Sequence, residues 1–491
     1  MSFGLIGRSS NSDNPPYLWR FRSSKWYVVA VVSLATFTDV FLNASIVPVV
    51  PFALTNRAYV APEDVQHWTA VLLAINGAAL VAVSPIAGWA ADHLGQRRTP
   101  LVVSLLALLG ASLILCFGRS TGVYIAARLL LGISGAVVWT VGFALVVDTV
   151  AKDEVGQYLG YVFMSINFAV LVAPLIGGAV YAAAGYYAVF YINFGLIAID
   201  IILRFLLIER GRAEKWMVTL GGDHVTEKSD NEPTATLGAT TPQTEAIITG
   251  SSEENNTPPP PKFVPIFSLL KSPRVLTALF GCLVQSTLFS TFDTVLPLRV
   301  HALFGWGSLG SGLIFLGLLV PSLLSPVVGY GNDKLGPKWI ACIGFMLCFP
   351  ALVLLREVRD GGIRQVVLLS ALLAVIGFGV NFIAIPLAAE ISYAIEDSEK
   401  YAGAYGSKGA YAQGYSLLNA GFATGSLIGP IWSGYVINGG AGWGTLGWSL
   451  GLLCALTTIP ILIWTGGSFT RKKKVENENV SDNHELASTP V

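Results

Sequence analysis

The feature that most constrains this chain is a series of apolar stretches, each long enough to cross a lipid bilayer as a single helix. A membrane-spanning helix needs about 20 apolar residues, and the sequence predicts twelve such spans. Six lie in the first part of the chain, at 26–52, 67–91, 99–117, 122–147, 157–182 and 186–208. Six more lie in the second part, at 274–299, 308–331, 338–355, 364–390, 409–437 and 442–465. We therefore expect an all-α, multi-pass membrane protein.

The composition fits a chain that lies mostly in lipid. Of its 491 residues, 53% are hydrophobic and 12% are charged, whereas soluble domains carry about 25% charged residues. The formal net charge is +0, which gives no reason to expect a nucleic-acid partner. The five Cys lie in apolar runs without metal-ligand spacing, so we expect packing residues and no metal site. The absence of a G-x-x-x-x-G-K-[ST] loop and of a nucleophile constellation predicts no enzyme activity.

Residues 209–272 separate the two sets of spans. They are rich in Ser, Thr, Asn, Glu and Pro, which predicts a disordered linker. The predicted parts are two tails, two six-helix halves and the linker: 1–25, 26–208, 209–272, 273–465 and 466–491. Lys and Arg are concentrated on the side of the tails and linker, so we predict that both termini are cytoplasmic. The sequence leaves open whether the membrane is the plasma membrane or that of a vesicle or vacuole.

The two halves repeat each other. Residues 84–97 and 325–338 share the pattern Ser-Pro-x-x-Gly-x-x-x-Asp-x-x-Gly-x-Arg/Lys, each at the end of the second span of its half. In the fifth spans, Pro174 and Pro430 are each followed three residues later by a small residue. Two matches in register indicate a duplication. Two related six-helix halves are typical of a transporter that rocks around a site between them.

Three of these motifs resemble those of the major facilitator superfamily. Residues 88–98 are similar to its loop 2–3 signature, with His93 where a basic residue is usual. Residues 128–132 are similar to its helix 4 motif, and residues 173–178 to its helix 5 antiporter motif. The resemblance covers the chain outside the linker and tails. It implies the major facilitator fold, with 12 transmembrane helices in two six-helix halves that act as a monomer.

Within that family, the chain most resembles the drug:proton antiporters and vesicular amine transporters. Residues 39–48 resemble their helix 1, and residues 292–297 their helix 7. The resemblance implies export of a small amphipathic or lipophilic molecule, such as a drug, toxin or secondary metabolite, in exchange for protons. The proton gradient would supply the energy, without a cofactor. Asn381 and Tyr415 stand where the vesicular transporters carry acidic residues, which argues against monoamine exchange.

Few charged residues lie inside the spans, where each costs about 2.5–3.5 kcal/mol to insert. Asp39, near the middle of the first span, and Asp293, in the seventh, are candidate proton-binding or substrate-binding carboxylates. Alternatively, hydrogen bonds from Thr38 and Asn43 hold Asp39 in a purely structural role. By resemblance, Arg128 in the fourth span tunes a carboxylate, and Asp39 is its candidate partner.

The first copy of the repeated motif predicts a gate on the cytoplasmic side. Asp92 is placed to accept hydrogen bonds from the N-terminus of a neighbouring helix. Arg97 and Arg98 can reach Asp148, which closes the fourth span on the same side. In the resembling family this network locks the cytoplasmic gate while the outer side is open.

The second copy of the motif predicts a weaker counterpart, in which Asp333 pairs with Lys338. In the fifth span, Pro174, Gly177 and Gly178 are predicted to let the backbone bend and approach another helix closely. Residues with polar or aromatic side chains that are candidates to line the substrate cavity are Trp139, Asn167, Asn381, Tyr411 and Tyr415.

Two other functions are compatible with the same fold. One is a facilitator or proton symporter for a nutrient such as a sugar, which predicts paired Gln and Asn in the cavity. The other is a receptor or scaffold that does not transport, which predicts degenerate gate motifs. The first gate motif is intact, and the helix 5 motif favours antiport. We therefore expect a small-molecule substrate, protons and the lipid bilayer as the partners of this chain.

Overall fold

The structure, a computed structural model, describes residues 18–46, 49–61, 64–94, 96–208, 265–306, 308–402, 410–440 and 442–466. These ranges contain twelve long helical elements. The first six, α1 to α6, are Lys25–Ile46, Val65–Leu94, Arg98–Phe117, Thr121–Thr149, Val155–Ala184 and Tyr186–Leu206. The second six begin with α7, Pro273–Phe304, and the broken α8, Ser308–Leu319 and Ser325–Leu335. They end with α9 to α12: Pro337–Leu354, Ile363–Ala402, Tyr411–Asn438 and Gly442–Trp464.

Two of the predicted spans are interrupted by short segments. The first, predicted as 26–52, ends as α1 at Ile46, and Val50–Asn56 forms a separate short helix. The eighth contains a 3-10 segment, Val320–Leu324, between its two α-helical pieces. Pro321 explains this break, because it has no N–H to donate to the carbonyl four residues earlier.

The tenth helix is much longer than predicted. The sequence predicted a span that ends at residue 390, where the apolar run stops, but α10 extends over 40 residues to Ala402. A helix does not require an uninterrupted apolar run, so α10 continues past Glu390 through buried apolar residues such as Ile391 and Ile395 and then through charged ones. We call residues 391–402 the α10 extension.

Only α11 does not meet the usual criterion for a membrane span. Among the described residues, eleven helices are long and apolar enough to cross a membrane, and Tyr411–Asn438 is not one of them. Its 28 residues are sufficient in length, but they include buried polar side chains such as Gln413, Ser416 and Asn419. Because α11 packs between α2 and α7, protein rather than lipid surrounds these groups. Apolarity alone therefore supports eleven of the twelve predicted spans.

The two halves meet at one end of the bundle. We call this the linker end, since α6 finishes and α7 begins there. The largest apolar cluster runs through the second half and combines residues of both halves at this end, for example Val32 of α1, Leu159 of α5 and Tyr415 of α11. A second cluster, around Leu42 and Leu108, belongs to the first half alone. The halves are thus joined at the linker end.

The linker prediction is only partly covered by the structure. Residues 209–264 and 467–491 lie outside the described residues, as do residues 1–17. Residues 265–272, predicted to be disordered, form a short helix, Pro265–Leu269, and a turn that leads into α7. This segment is ordered because Leu269 is buried, at 1% exposure, in the cluster that joins the halves.

Candidate functional site

The first gate joins α2 of the first half to the start of α11 in the second. The Asp92 carboxylate accepts the backbone N–H groups of Ala412, at 3.2 Å, and of Gln413, at 2.9 Å. N–H groups in the first turn of a helix have no partner inside it and carry the positive end of its dipole. An Asp at this position therefore holds the two halves together at the linker end.

Arg97 reinforces this gate from within the first half. Its Nη1 donates to Asp92 at 2.7 Å, and its Nε donates to Asp148 at 2.9 Å. Burial lowers the pKa of Arg97, but the charges of Asp148 and Asp92 outweigh this effect and raise it above its ordinary value. The guanidinium is therefore charged at any physiological pH and fixes the Asp92 carboxylate towards α11.

Arg98 points to a different part of the same half. The hydrogen bond of its Nη2 runs to the backbone carbonyl of Phe205, at 2.7 Å, near the end of α6. The sequence analysis predicted that both Arg97 and Arg98 reach Asp148. In the structure, Arg97 makes the hydrogen bond to Asp148, and Arg98 caps a helix C-terminus.

The second gate repeats the first with the halves exchanged. Asp333 of α8 accepts the N–H groups of Gly156, at 2.7 Å, and Gln157, at 2.8 Å, in the first turn of α5. Its reinforcement comes from Tyr393 of the α10 extension, whose hydroxyl donates to Asp333 at 3.0 Å. Both gate aspartates thus cap a helix of the opposite half.

The expected pairing of Asp333 with Lys338 is not observed. The Lys338 ammonium lies 5.8 Å from the ring centroid of Trp339 instead. The oxygens of Asp333 are already bonded to two backbone N–H groups and to Tyr393. The sequence analysis predicted that the tenth span ends at residue 390, so it gave no reason to place Tyr393 beside Asp333. This partner was therefore missed.

The glycine that the two motif copies share allows the halves to approach closely. A Cβ built on Gly88 lies 2.5 Å from Ser416 Oγ and 2.6 Å from the Ala412 carbonyl oxygen, both in α11. A Cβ on Gly329 collides with the backbone of Gly156 in α5. Real Cβ atoms do not come this close, so a side chain at either position would push the gates apart.

A further contact between the halves was not predicted. Lys152, in the loop between α4 and α5, forms an ion pair of 3.0 Å with Glu396 in the α10 extension. The Lys152 side chain is 68% exposed, whereas that of Glu396 is 8% exposed. Across the ranges that the structure describes, this is the one ion pair that links the two halves.

Aromatic rings close the interior next to the gates. Trp139 of α4 lies 5.6 Å from Phe422 of α11, and Phe143 lies 5.5 Å from Tyr415 and from Phe163, measured between ring centroids. These rings come from both halves. With the gates, they make the structure a state that is closed at the linker end.

Asp39 is buried between helices of the first half. It is 6% exposed, and its Oδ2 accepts a hydrogen bond from the Trp139 indole N–H at 3.2 Å. Gly135 gives it room, since a Cβ there would lie 3.2 Å from the same oxygen. Neither neighbour proposed from the sequence binds it, because Thr38 Oγ1 has no partner and Asn43 binds Arg128.

Arg128 does not contact Asp39 directly. Its Nη1 donates to Asn43 Oδ1 at 2.7 Å, one helical turn from Asp39. The side chain is 0% exposed, and its Nε and Nη2 have no hydrogen-bond partner. A charged guanidinium with unused donors and an unneutralised carboxylate therefore lie within the same helix pair, α1 and α4.

Asp293 is in a different environment. Its side chain is exposed, and no hydrogen bond or ion pair joins it to any other part of the described chain. Its neighbours Phe292 and Val295 turn the other way, against Trp443. Asp293 therefore has no polar partner within the described chain, whereas Asp39 accepts the Trp139 N–H.

The proposed cavity residues divide into two groups. Asn381 and Tyr415 are buried, and their polar atoms bond within the second half, to Ser325 at 2.9 Å and to the Ala388 carbonyl at 3.1 Å. They therefore serve packing in this state. Trp139 donates a hydrogen bond to Asp39. Asn167 is half-buried and forms no hydrogen bond within the described chain.

Tyr411 is the first residue of α11 and is half-buried. It therefore lies beside the first gate, at the linker end of the bundle. The sequence had placed it in the cavity wall.

The helix 5 motif has one residue with a clear packing role. Pro174 lies inside α5, and a Cβ on Gly177 would collide with the backbone of Ser45 in α1. A Cβ on Gly178 would meet nothing within 4 Å. The close approach that the motif predicted therefore depends on Gly177.

Other buried acids in the spans have cationic partners. Arg204 donates to both oxygens of Asp200, at 2.9 and 2.7 Å, inside the first half. Glu390 accepts a hydrogen bond from Arg274 Nε at 2.8 Å inside the second. Asp39 is buried like them, but its hydrogen bond comes from a neutral indole.

Comparison with known proteins identifies the family. The model of the Major Facilitator Superfamily matches residues 32–411, which include both gate aspartates and both candidate carboxylates. The chain belongs to the Major Facilitator Superfamily. It is also 34% identical over 430 residues to an MFS-type transporter of Schizosaccharomyces pombe, covering 85% of this chain and 91% of the relative. This superfamily member is therefore a transporter.

Two further relatives match part of the chain. A probable vesicular acetylcholine transporter of Danio rerio is 31% identical over 162 residues, covering 32% of this chain and 33% of the relative. The class B tetracycline resistance protein of Escherichia coli is 31% identical over 151 residues, covering 30% and 36%. They support the resemblance to drug:proton antiporters and vesicular transporters.

Among solved structures, the human organic anion transporter MFSD10 has the same fold. It superimposes with a TM-score of 0.61 at 16% identity, covering 91% of this chain and 100% of the other. The major facilitator fold predicted from the sequence is thus confirmed.

Proposed function

We propose that this superfamily member exports a small amphipathic or lipophilic molecule in exchange for protons, by alternating access. The observation that carries the proposal is Asp39, a carboxylate buried in the first half without a cationic partner among the described residues. An ionised carboxylate in such a site is costly, so binding a proton is the simplest way to stabilise it.

Protonation of Asp39 then couples to the movement of the halves. The structure is closed at the linker end. With the termini in the cytoplasm, as we propose, this is the outward-facing state, in which Asp39 receives a proton and substrate leaves. Opening of the linker end lets the proton leave to the cytoplasm and substrate bind. The two ligands favour opposite states, which is the requirement for exchange.

The proton gradient is sufficient for export. A membrane potential of 100 mV supplies about 2.3 kcal/mol per charge, and one pH unit adds about 1.4 kcal/mol. One proton can therefore sustain roughly a 500-fold substrate gradient, at about 1.4 kcal/mol per tenfold. The partial matches to a tetracycline resistance protein and a vesicular acetylcholine transporter support substrates that are small organic molecules.

Proteoliposomes with an internal pH indicator test this proposal. Lipophilic cations, amphipathic toxins and sugars are added in turn to vesicles that hold an imposed pH gradient, with empty vesicles as the blank. We expect a lipophilic compound to drive proton movement in the opposite direction, and Asp39→Asn to abolish that movement while the protein still folds. Co-directional movement of a sugar and protons would favour the nutrient symporter. Substrate equilibration without protons, unaffected by Asp39→Asn, would favour a facilitator.

A further inference from the structure

Gln413 connects the first gate to the short helix that ends the linker. It is the third residue of α11 and is 3% exposed. Its backbone N–H and its Nε2 both donate to Asp92 Oδ2, at 2.9 and 3.3 Å. Its Oε1 accepts the backbone N–H of Ile266 at 3.0 Å. Both ends of one planar amide are therefore bonded, one to the gate and one to the linker helix.

The bond to Ile266 caps a helix. Ile266 is the second residue of Pro265–Leu269, so its N–H has no acceptor inside that helix. The helix is followed by a tight turn, in which the N–H of Ser272 donates to the Leu269 carbonyl at 3.1 Å, and then by α7. Movement of this helix relative to α11 must break the bond to Gln413 or carry Gln413 with it.

The equivalent residue of the other gate lacks this connection. Gln157 is the third residue of α5, as Gln413 is of α11. Its backbone N–H donates to the gate residue Asp333. Its side chain is half-buried and forms no hydrogen bond within the described chain. In both helices the backbone N–H of the third residue donates to a gate aspartate. Only in α11 does the side chain of that residue also form hydrogen bonds.

We propose that Pro265–Leu269 is a working part of the first gate, and that Gln413 is a positioning residue through which the linker biases opening at the linker end. The bond to Ile266 orients the Gln413 amide, the amide and its backbone orient Asp92, and Asp92 is held in turn by Arg97. Displacing the linker helix therefore weakens the closed state. This inference rests on the alternating-access part of the proposed function and not on proton coupling.

Hydrogen exchange can test the connection from the linker side. The N–H groups of Ala412 and Gln413 have Asp92 as their acceptor, so their exchange reports opening of the first gate. Ile266→Pro removes a donor that the helix itself does not use, and proline is tolerated in a first turn. It also removes the partly buried Ile266 side chain and restricts the backbone of Pro265. Ile266→Ala keeps the N–H and is the matched control. The purified protein in lipid nanodiscs is sufficient, without substrate or gradient.

We expect Ile266→Pro to speed exchange at Ala412 and Gln413 about fivefold, the effect of one net hydrogen bond, and Ile266→Ala to leave it unchanged. Gln413→Ala, which also removes the Nε2 bond to Asp92, should give at least the same increase, and Gln157→Ala none. Adding Ile266→Pro to Gln413→Ala should have no further effect, because the bond to Ile266 is already lost in Gln413→Ala. Unchanged exchange in the two single variants would overturn the proposal, as would an equal effect of Gln157→Ala.

This experiment separates the inference from the proposed function. If Asp39 does not couple protons, the exchange results are unaffected, since no proton gradient is present. If the linker helix is not part of the gate, transport assays can still show proton exchange. Exchange in the buried start of α4 around Tyr124 and Ala127, at the other end of that helix from Asp148, should stay at the wild-type rate in every variant. A general increase there would mean that the variant is partly unfolded, and Gln413→Ala then decides the outcome alone.

Discussion

The two gates have the same geometry but different reinforcement. In each, an aspartate at the end of the second helix of one half accepts two N–H groups from the first turn of a helix in the other half. Asp92 is held by the charged Arg97, which also binds Asp148. Asp333 is held by the neutral hydroxyl of Tyr393. The duplication has preserved the aspartate that caps a helix of the other half, but the side chain that binds this aspartate differs between the two gates.

This difference indicates where the closed state gains most of its stability. Both carboxylates accept hydrogen bonds of about 1.5–3 kcal/mol each, because the acceptor is charged, but only Asp92 also gains the attraction of a charged donor. Removing one member of a buried ionic network also leaves the others unpaired, which costs about 3–5 kcal/mol. The first gate therefore depends on its arginine more strongly than the second depends on its tyrosine. Hydrogen exchange in the first turns of α11 and α5 reports on each gate separately.

The largest effect is expected from Arg97→Ala. It removes the guanidinium that binds both Asp92 and Asp148, and we expect the open fraction to rise about 100-fold, from a loss of ~3 kcal/mol. If the halves move as rigid bodies, exchange at Gly156 and Gln157 should rise by the same factor as at α11. An increase confined to α11 would contradict a single rocking motion and make the gates independent.

A similar but smaller effect is expected from Gly329→Ala in the second gate. The added methyl group collides with the Gly156 backbone, and overpacking costs about 1–3 kcal/mol. We expect roughly tenfold faster exchange at the start of α5. Gly178→Ala is the matched control, because a Cβ there has open space. Equal rates in the two variants would show that the close approach at Gly329 does not limit closure.

Tyr393→Phe tests the reinforcement of the second gate directly. It removes one hydroxyl donor and leaves both backbone donors to Asp333 in place. We expect about a tenfold increase in the exchange of Gly156 and Gln157, from ~1.5 kcal/mol. The comparison between the gates would be wrong if this change were as damaging as Arg97→Ala.

The smallest effect is expected from Lys152→Gln, which removes the ion pair with Glu396. Partly exposed pairs contribute about 0.5 kcal/mol and are screened by salt. We expect about a twofold increase in opening at low salt and none at 0.5 M salt, a concentration at which screening is roughly complete. Lys25→Gln removes a similar pair, with Glu154, that lies within one half, and should leave opening unchanged. A salt-independent effect of Lys152→Gln would point to a change in the loop rather than to lost charge.

The fold was largely predictable because apolar length and the repeated motif are local properties of the sequence. The same motif also predicted that Asp92 caps a neighbouring helix. It could not identify the helix that donates to Asp92, because Asp92 and Gln413 are brought together only by packing of the two halves. The α10 extension was missed for a related reason, since Glu390 and the acids that follow it interrupt the apolar run, and Tyr393 and Glu396 were missed with it.

The environment of Asp39 was predicted only in part. Its position in an apolar span singled it out, and neighbours on the same helix were the natural partners to propose. In the structure, Asp39 accepts its hydrogen bond from Trp139 of α4 instead, and Asn43 accepts one from Arg128. Which faces of two helices meet depends on small residues such as Gly135, and one sequence does not reveal that pairing.

The central claim is that Asp39, and not Asp293, exchanges its proton for substrate. The most direct measurement is proton release into weak buffer when a transported compound binds to the purified protein, followed with a pH indicator. The account predicts about one proton per bound molecule for the wild type, none for Asp39→Asn, and about one for Asp293→Asn. Release that persists in Asp39→Asn, or is lost only in Asp293→Asn, would contradict it and move the coupling site to the second half.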